Sequence, residues 1–208
     1  MLLLSLKIYR VLPAKKAYSL FVFSFICSCS LAQNIALVNG KPISSKEFIW
    51  SYKKSHNGNV SSDYADLASY LNLYLNFKLK VLDARETGLD KNPVYQEEIK
   101  TYETALEAHK KTSVKSKNHD FLLNEYREGV LMFNISEQKI WNKAQEDEQA
   151  VKDFYHHHKK DYKEPLSEIK GLVIADYQQN LEENWLESLK EKYQVKVNEN
   201  ELRKLTKP

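Results

Sequence analysis

Three consecutive histidines, His156-His157-His158, are the residues here that most invite a metal. They stand in EDEQAVKDFYHHHKKDY, where apolar Val151, Phe154 and Tyr155 have helical spacing. Adjacent residues of a helix point about 100° apart, so the three rings cannot converge on one ion. A helical metal pair needs i, i+4 spacing, which Asp153 and His157 provide. The segment is therefore read as a solvated helix face, and no metal ligand is assigned. Nucleophilic catalysis is no better served. The only cysteines, Cys27 and Cys29, lie in an N-terminal segment expected to be removed. A Gly-x-Ser-x-Gly elbow, a P-loop and a dinucleotide fingerprint are absent from a chain with 5 glycines. Acidic residues sit beside lysines, as in LEENWLESLKEK, the pattern of a charged helical surface. No catalytic residue and no cofactor are assigned.

Aromatic residues carry the remaining signal. The chain has 13 Tyr, 8 Phe and 3 Trp, and tyrosine suits surfaces that are apolar yet wet. Most of these rings are expected in the core, and some are left to line a groove. The candidate peptide-contacting residues are Tyr70, Tyr74 and Phe77 on one long helical segment, with Phe133 and Trp141 further on. Such rings bind extended apolar peptide without strict sequence preference.

The elements that must position them are mostly helical. Ile35 to Val38 reads as a short strand and Asn39-Gly40 as a turn. Ser44 is then an N-cap with Glu47 at N3 of a capping box, and Ile43 and Phe48 are placed as a hydrophobic staple. SSDYADLASYLNLYLNFKLKVLDARETGLD reads as one long helix, capped by Ser61 or Ser62 and ended by Gly88. Leu67, Leu71, Tyr74, Lys78 and Val81 form one stripe on it, and Tyr70, Leu73, Phe77 and Ala84 another, so it belongs at the centre of a core. Asn92-Pro93 opens the next helix, with Tyr95, Ile99, Tyr102 and Leu106 on one side. DFLLNEYREGVLMF places Leu122, Tyr126, Val130 and Phe133 on one face, with Gly129 its weak point. A break at Asn134 to Ser136 and a short helix EQKIW follow. Ile174, Leu181, Trp185 and Leu189 mark a long helix, and Val195 and Val197 a final strand. The expected fold is mainly α, a multi-helix module closed by a two-stranded sheet that pairs the two ends of the mature chain.

Residues 1–32 are different material. Lys7, Arg10, Lys15 and Lys16 precede the apolar run AYSLFVFSFICSCSLA, which ends in the small residues Ser30 and Ala32. This is the form of a signal peptide cleaved after Ala32, and it implies export. Its apolar run is shorter than the roughly 20 residues of a membrane span, so no stable span is expected after cleavage. Lipid attachment at Cys29 stays open. Loss of the four basic residues leaves 27 basic residues against 28 acidic ones, taking the formal charge from +3 to −1. A chain near neutrality has no bulk attraction for nucleic acid, and none is expected as a partner. Without cysteine, its core must hold it together unaided.

VNGKPISSKEF followed by YLNLYLNFKLKVLDARETGLD resembles the N-terminal chaperone region of SurA-type periplasmic foldases, most closely those of Bacteroidetes. EYREGVLMFNISEQKIWNKAQED and VIADYQQNLEENWLESLKEKYQVKVN resemble the C-terminal part of the same proteins. The resemblance implies that residues 33–108 and 119–208 fold together as one SurA-like chaperone domain. Members usually carry parvulin isomerase domains between these parts. Here only the junction HKKTSVKSKN, residues 109–118, stands there, far short of the about 100 residues of a domain. No parvulin catalytic residue carries over. The implied function is an exported, periplasmic chaperone that binds unfolded envelope or outer-membrane polypeptides without catalysis. The alternatives are a peptidyl-prolyl cis-trans isomerase, as the family label has it, and a structural or adaptor subunit that binds one fixed partner or itself as a homodimer.

Overall fold

In a computed structural model, which describes residues 34–110 and 118–206, the first element is strand β1, Asn34–Val38. The expected signal peptide and residues 111–117 of the junction lie outside the described residues. Asn39 and Gly40 both take positive φ, 48° and 77°, the backbone of a two-residue hairpin turn that Asn and Gly adopt most readily. The chain therefore reverses into a second strand, β2, Lys41–Ser44, antiparallel to β1 with Val38 opposite Lys41 and Ala36 opposite Ile43. This corrects the two-stranded expectation. Strand β3, Val195–Val197, pairs antiparallel with the other edge of β1, so the ends do meet as anticipated, in a three-stranded sheet of order β2-β1-β3. Pro42, which lacks an N–H, fits β2 because β2 is an edge.

Helix α1, Ser45–Ser55, starts at Ser44, whose hydroxyl accepts from the Glu47 N–H at 3.1 Å. The Glu47 carboxylate does not complete a capping box; it is turned to Tyr74 and Lys78. Helix α2, Tyr64–Glu86, is capped by Asp63, not by Ser61 or Ser62. The Asp63 side chain accepts from the Ala65 N–H at 2.9 Å, while the Ser61 hydroxyl serves the Asp63 N–H itself. A carboxylate at this end also favours the helix dipole. Gly88, at φ 81°, ends the helix as expected. Asn92 then caps α3, Pro93–Lys110, through a 2.8 Å bond from the Val94 N–H.

Helix α4, His119–Ser136, does not break at Asn134. It runs through a π turn, Glu137–Trp141, into α5, Asn142–Glu146. The buried residues explain this: Leu131, Ile135, Ile140 and Ala144 are spaced four, five and four. A five-residue step keeps its side chain on the core only if one turn is widened, and the Asn142 N–H bonds to the Glu137 carbonyl accordingly. Helix α6, Glu148–His157, packs against α7, Leu166–Lys192. A last helix that the sequence pattern did not suggest, α8, Glu199–Leu205, follows β3 under an Asn198 cap and buries Leu202.

The main core joins the sheet, α1, α2 and the inner faces of α4 and α7. A smaller one gathers Val151, Tyr155 and Val173 between α6 and α7. Asp83 of α2 links distant elements: its buried carboxylate accepts from Trp185 Nε1 of α7 at 3.0 Å and pairs with Lys139 of the π turn at 3.0 Å and Lys192 at 3.4 Å.

Candidate functional site

Helix α2 buries Leu67, Leu71, Leu75, Leu79 and Leu82 in the core, a stripe of leucines that occupies one side completely. Its aromatic residues are thereby turned to another side. Tyr70, Leu73, Tyr74 and Phe77 recur at i, i+3, i+4 and i+7, one face of a helix. Together they form the floor of a groove whose walls are Glu47, Trp50 and Ser51 of α1 and Phe121, Asn124, Glu125, Glu128 and Gly129 of α4. The groove has a volume of about 260 Å³. Leu73 is 65% exposed in it, an apolar side chain offered to solvent.

The rings are held in place by one another. Tyr70 and Tyr74 are near-parallel with centroids 6.5 Å apart, and Tyr74 and Phe77 are 6.1 Å apart. Phe48 and Tyr52, both buried, back onto Tyr70 at 5.8 Å and 5.0 Å. Polar anchors fix the tyrosine hydroxyls. Tyr70 and Ser51 share a 2.9 Å hydrogen bond, and Tyr74 donates to Glu47 Oε1 at 2.7 Å. Burial, with the negative charge and hydrogen bond of Glu47 added, pushes the Tyr74 hydroxyl far above the ordinary tyrosine range, so it stays a neutral donor.

Beneath this lies a charged tie between all three helices. Lys78 Nζ reaches Glu47 Oε1 at 2.6 Å and Glu128 Oε2 at 2.5 Å, and Arg85 Nη2 lies 3.4 Å from Glu128 Oε1. The side chains of Lys78 and Glu128 are only 11% and 8% exposed. Two carboxylates and two cations compensate each other here, so the groove gains fixed walls without a net local charge.

Three of the five candidate residues, Tyr70, Tyr74 and Phe77, are thus brought together. Phe133 is not with them. It stands 52% exposed over a neighbouring hollow of about 520 Å³, lined also by Leu122, Tyr126 and Val130. The two spaces share Glu125 and Gly129. A Cβ at Gly129 would meet nothing within 4 Å, so the ridge of α4 is cut down where they adjoin. Trp141 lines neither space. It packs edge-to-face on Phe133, 4.9 Å away, beside Leu186 of α7. Trp50, Leu73 and Phe121, and the tie through Lys78, are site residues that the sequence reading missed. Leu73 had a signal, its place in the stripe with Tyr70 and Phe77, and so did Lys78, in the stripe with Tyr74; Trp50 and Phe121 had none.

The three adjacent histidines lie elsewhere, at the C-terminal end of α6, where His158 is the capping residue. His156 and His157 are exposed, and the Nδ1 atoms of His157 and His158 lie against the carbonyls of Asp153 and Phe154. Among the described residues no group of three or more His, Cys, Asp or Glu could hold a metal ion, and no helix is long and apolar enough to cross a membrane. Compared with protein-family models, with curated proteins and with solved structures, the chain matches nothing in any of the three.

Proposed function

We propose that this chain is an exported, chaperone-like protein that holds unfolded envelope or outer-membrane polypeptides, without catalysis, in the groove between α1, α2 and α4. The observation that carries this reading is the groove itself: Tyr70, Tyr74, Phe77 and the exposed Leu73 form a continuous apolar floor between two helical walls. Its volume, below the about 300–1,000 Å³ of small-molecule sites, suits one or two side chains of a longer chain better than a whole small ligand. Rigid rings tied by hydrogen bonds present apolar surface at low entropic cost, as non-selective peptide binding requires. The resemblance to SurA-type foldases and the signal-like N-terminus point the same way, toward clients in transit through the periplasm.

The test is suppression of aggregation. A urea-unfolded outer-membrane β-barrel protein is diluted into buffer with the full chain, and light scattering is followed. The expected result is suppression at near-equimolar ratio, lost in Leu73→Glu, which places a carboxylate on the apolar floor at an exposed position the fold does not need. Absence of suppression by the unaltered chain, or equal suppression by Leu73→Glu, refutes the reading.

A further inference from the structure

The two walls of the groove are joined at unlike places. On the buried side Lys78 holds Glu47 of α1 and Glu128 of α4, as described above. On the solvent side side chains alone meet. Trp50 of α1 stacks on Phe121 of α4, with 5.5 Å between centroids and 28° between planes. One turn further along each helix, Lys54 pairs with Glu125, and Lys54 Nζ lies 5.5 Å from the centroid of the Trp50 ring. The same i, i+4 step on both helices makes the stack and the ion pair one unit. Lys54 and Glu125 are 53% and 37% exposed, so salt screens their attraction far more than that of the buried tie.

We propose that Trp50, Phe121, Lys54 and Glu125 form a salt-sensitive clasp that ties the two walls of the groove together on their solvent side and releases before an apolar chain is fully seated. The proposal rests on the groove being the polypeptide site. Both rings of the clasp line the groove, so while they are stacked they occupy apolar surface that a ligand would otherwise cover. The apparent affinity of a site that is open only part of the time is reduced by the open fraction. Weakening the clasp therefore tightens binding. If the stack were instead a fixed part of the binding surface, weakening it would loosen binding, and the two accounts differ in sign.

The probe is the uncharged dye N-phenyl-1-naphthylamine, titrated into the full chain at about 0.02 M and about 0.5 M sodium chloride, so that screening acts on the protein and not on the ligand. The unaltered chain is expected to bind about twofold to fivefold more tightly at the higher salt. Lys54→Ala is expected to bind as tightly at low salt as the unaltered chain does at high salt, with little further response. Lys100→Ala, which removes an exposed lysine of α3 outside the groove, is expected to follow the unaltered chain. Leu73→Glu is expected to abolish binding. If Lys54→Ala binds no tighter at low salt, or responds to salt as the unaltered chain does, while Leu73→Glu still abolishes binding, the clasp is overturned and the groove stands. If Leu73→Glu binds the dye normally, the groove reading falls and the clasp with it.

Discussion

Replacing Lys78 by methionine removes the cation that holds Glu47 and Glu128 on the buried side of the groove. Both carboxylate oxygens rest on the same Nζ, at 2.6 Å and 2.5 Å, so they can be no more than about 5 Å apart. At the effective dielectric of about 20 that suits partly buried sites, two negative charges at that separation repel by about 3 kcal/mol. Arg85, 3.4 Å from the other Glu128 oxygen, offsets part of this. The expected loss is about 2–4 kcal/mol, near the range for removing one partner of a buried ion pair. Against a total stability of about 5–15 kcal/mol this is readily measured. Urea unfolding followed by far-ultraviolet circular dichroism, with an unchanged m-value, gives the figure. The double variant Lys78→Met/Glu128→Gln removes the repulsion while keeping the shape, and about half of the loss is expected to return. A cost below about 1 kcal/mol for the single variant, or a double variant no more stable than the single one, refutes the electrostatic account of the tie.

At Asp83, alanine leaves the buried Trp185 N–H without an acceptor and is expected to cost about 1–3 kcal/mol, whereas asparagine keeps a carbonyl there and costs less; equal urea midpoints for the two would contradict this. Burial pushes the Asp83 carboxyl up, but the hydrogen bonds and charges of Lys139, Trp185 and Lys192 outweigh it and hold it below the usual carboxylate range. Its contribution is therefore complete above the unfolded value of about 3.9 and is lost as pH falls through the lower folded value, so the stability gap to Asp83→Asn should close in acid. Gly129→Ala should raise stability by about 0.5–1 kcal/mol, since the helix gains a better former and the added methyl meets open space; a lower urea midpoint would show that the site is less open than it looks. Burial, and then the hydrogen bond and charge of Asp176, push the Tyr162 hydroxyl up to about 12. The stability tied to it is present below about pH 10 and lost as pH rises through about 12, so the difference from Tyr162→Phe should vanish over that interval and be flat below it.

The parts of the fold that sequence periodicity revealed are those whose signals are local. Ser44 before Glu47, Gly88 after α2 and Asn92-Pro93 before α3 each act within one turn of the chain, and each stands where it was expected. The misses have physical causes of the same scale. KPIS is too short and too polar on its outer face to read as a strand, yet the Asn39-Gly40 turn leaves it nowhere else to go. The π turn looked like a helix break because the buried positions step by five at Ile140, which no regular helix period accommodates. Helix α8 offers only Leu202 and Leu205 as apolar residues, and its burial depends on a sheet that pairs across the whole chain.

The groove was legible only in its floor. Tyr70, Leu73 and Phe77 share a stripe on one helix, so their common face follows from the 3.6-residue period, and Tyr74 joins them because the leucine stripe claims the other side. The walls follow no such rule. Lys78 meets partners 31 and 50 positions away, and Trp50 meets Phe121 across a distance in sequence that no periodicity spans. Glu47 shows the limit most clearly. Its position three residues after Ser44 marks it as a capping residue, and its backbone N–H does serve the cap, but a buried lysine competes for its carboxylate. A backbone N–H offers the Glu47 carboxylate only a dipole, whereas Lys78 offers a full opposite charge in a place where its side chain is 11% exposed, and turning Glu47 to the cap would leave that buried cation with one partner fewer. Tertiary electrostatics therefore overrides the local motif at the one residue where the cap and the groove meet, and it is that override which draws α1, α2 and α4 around a common floor.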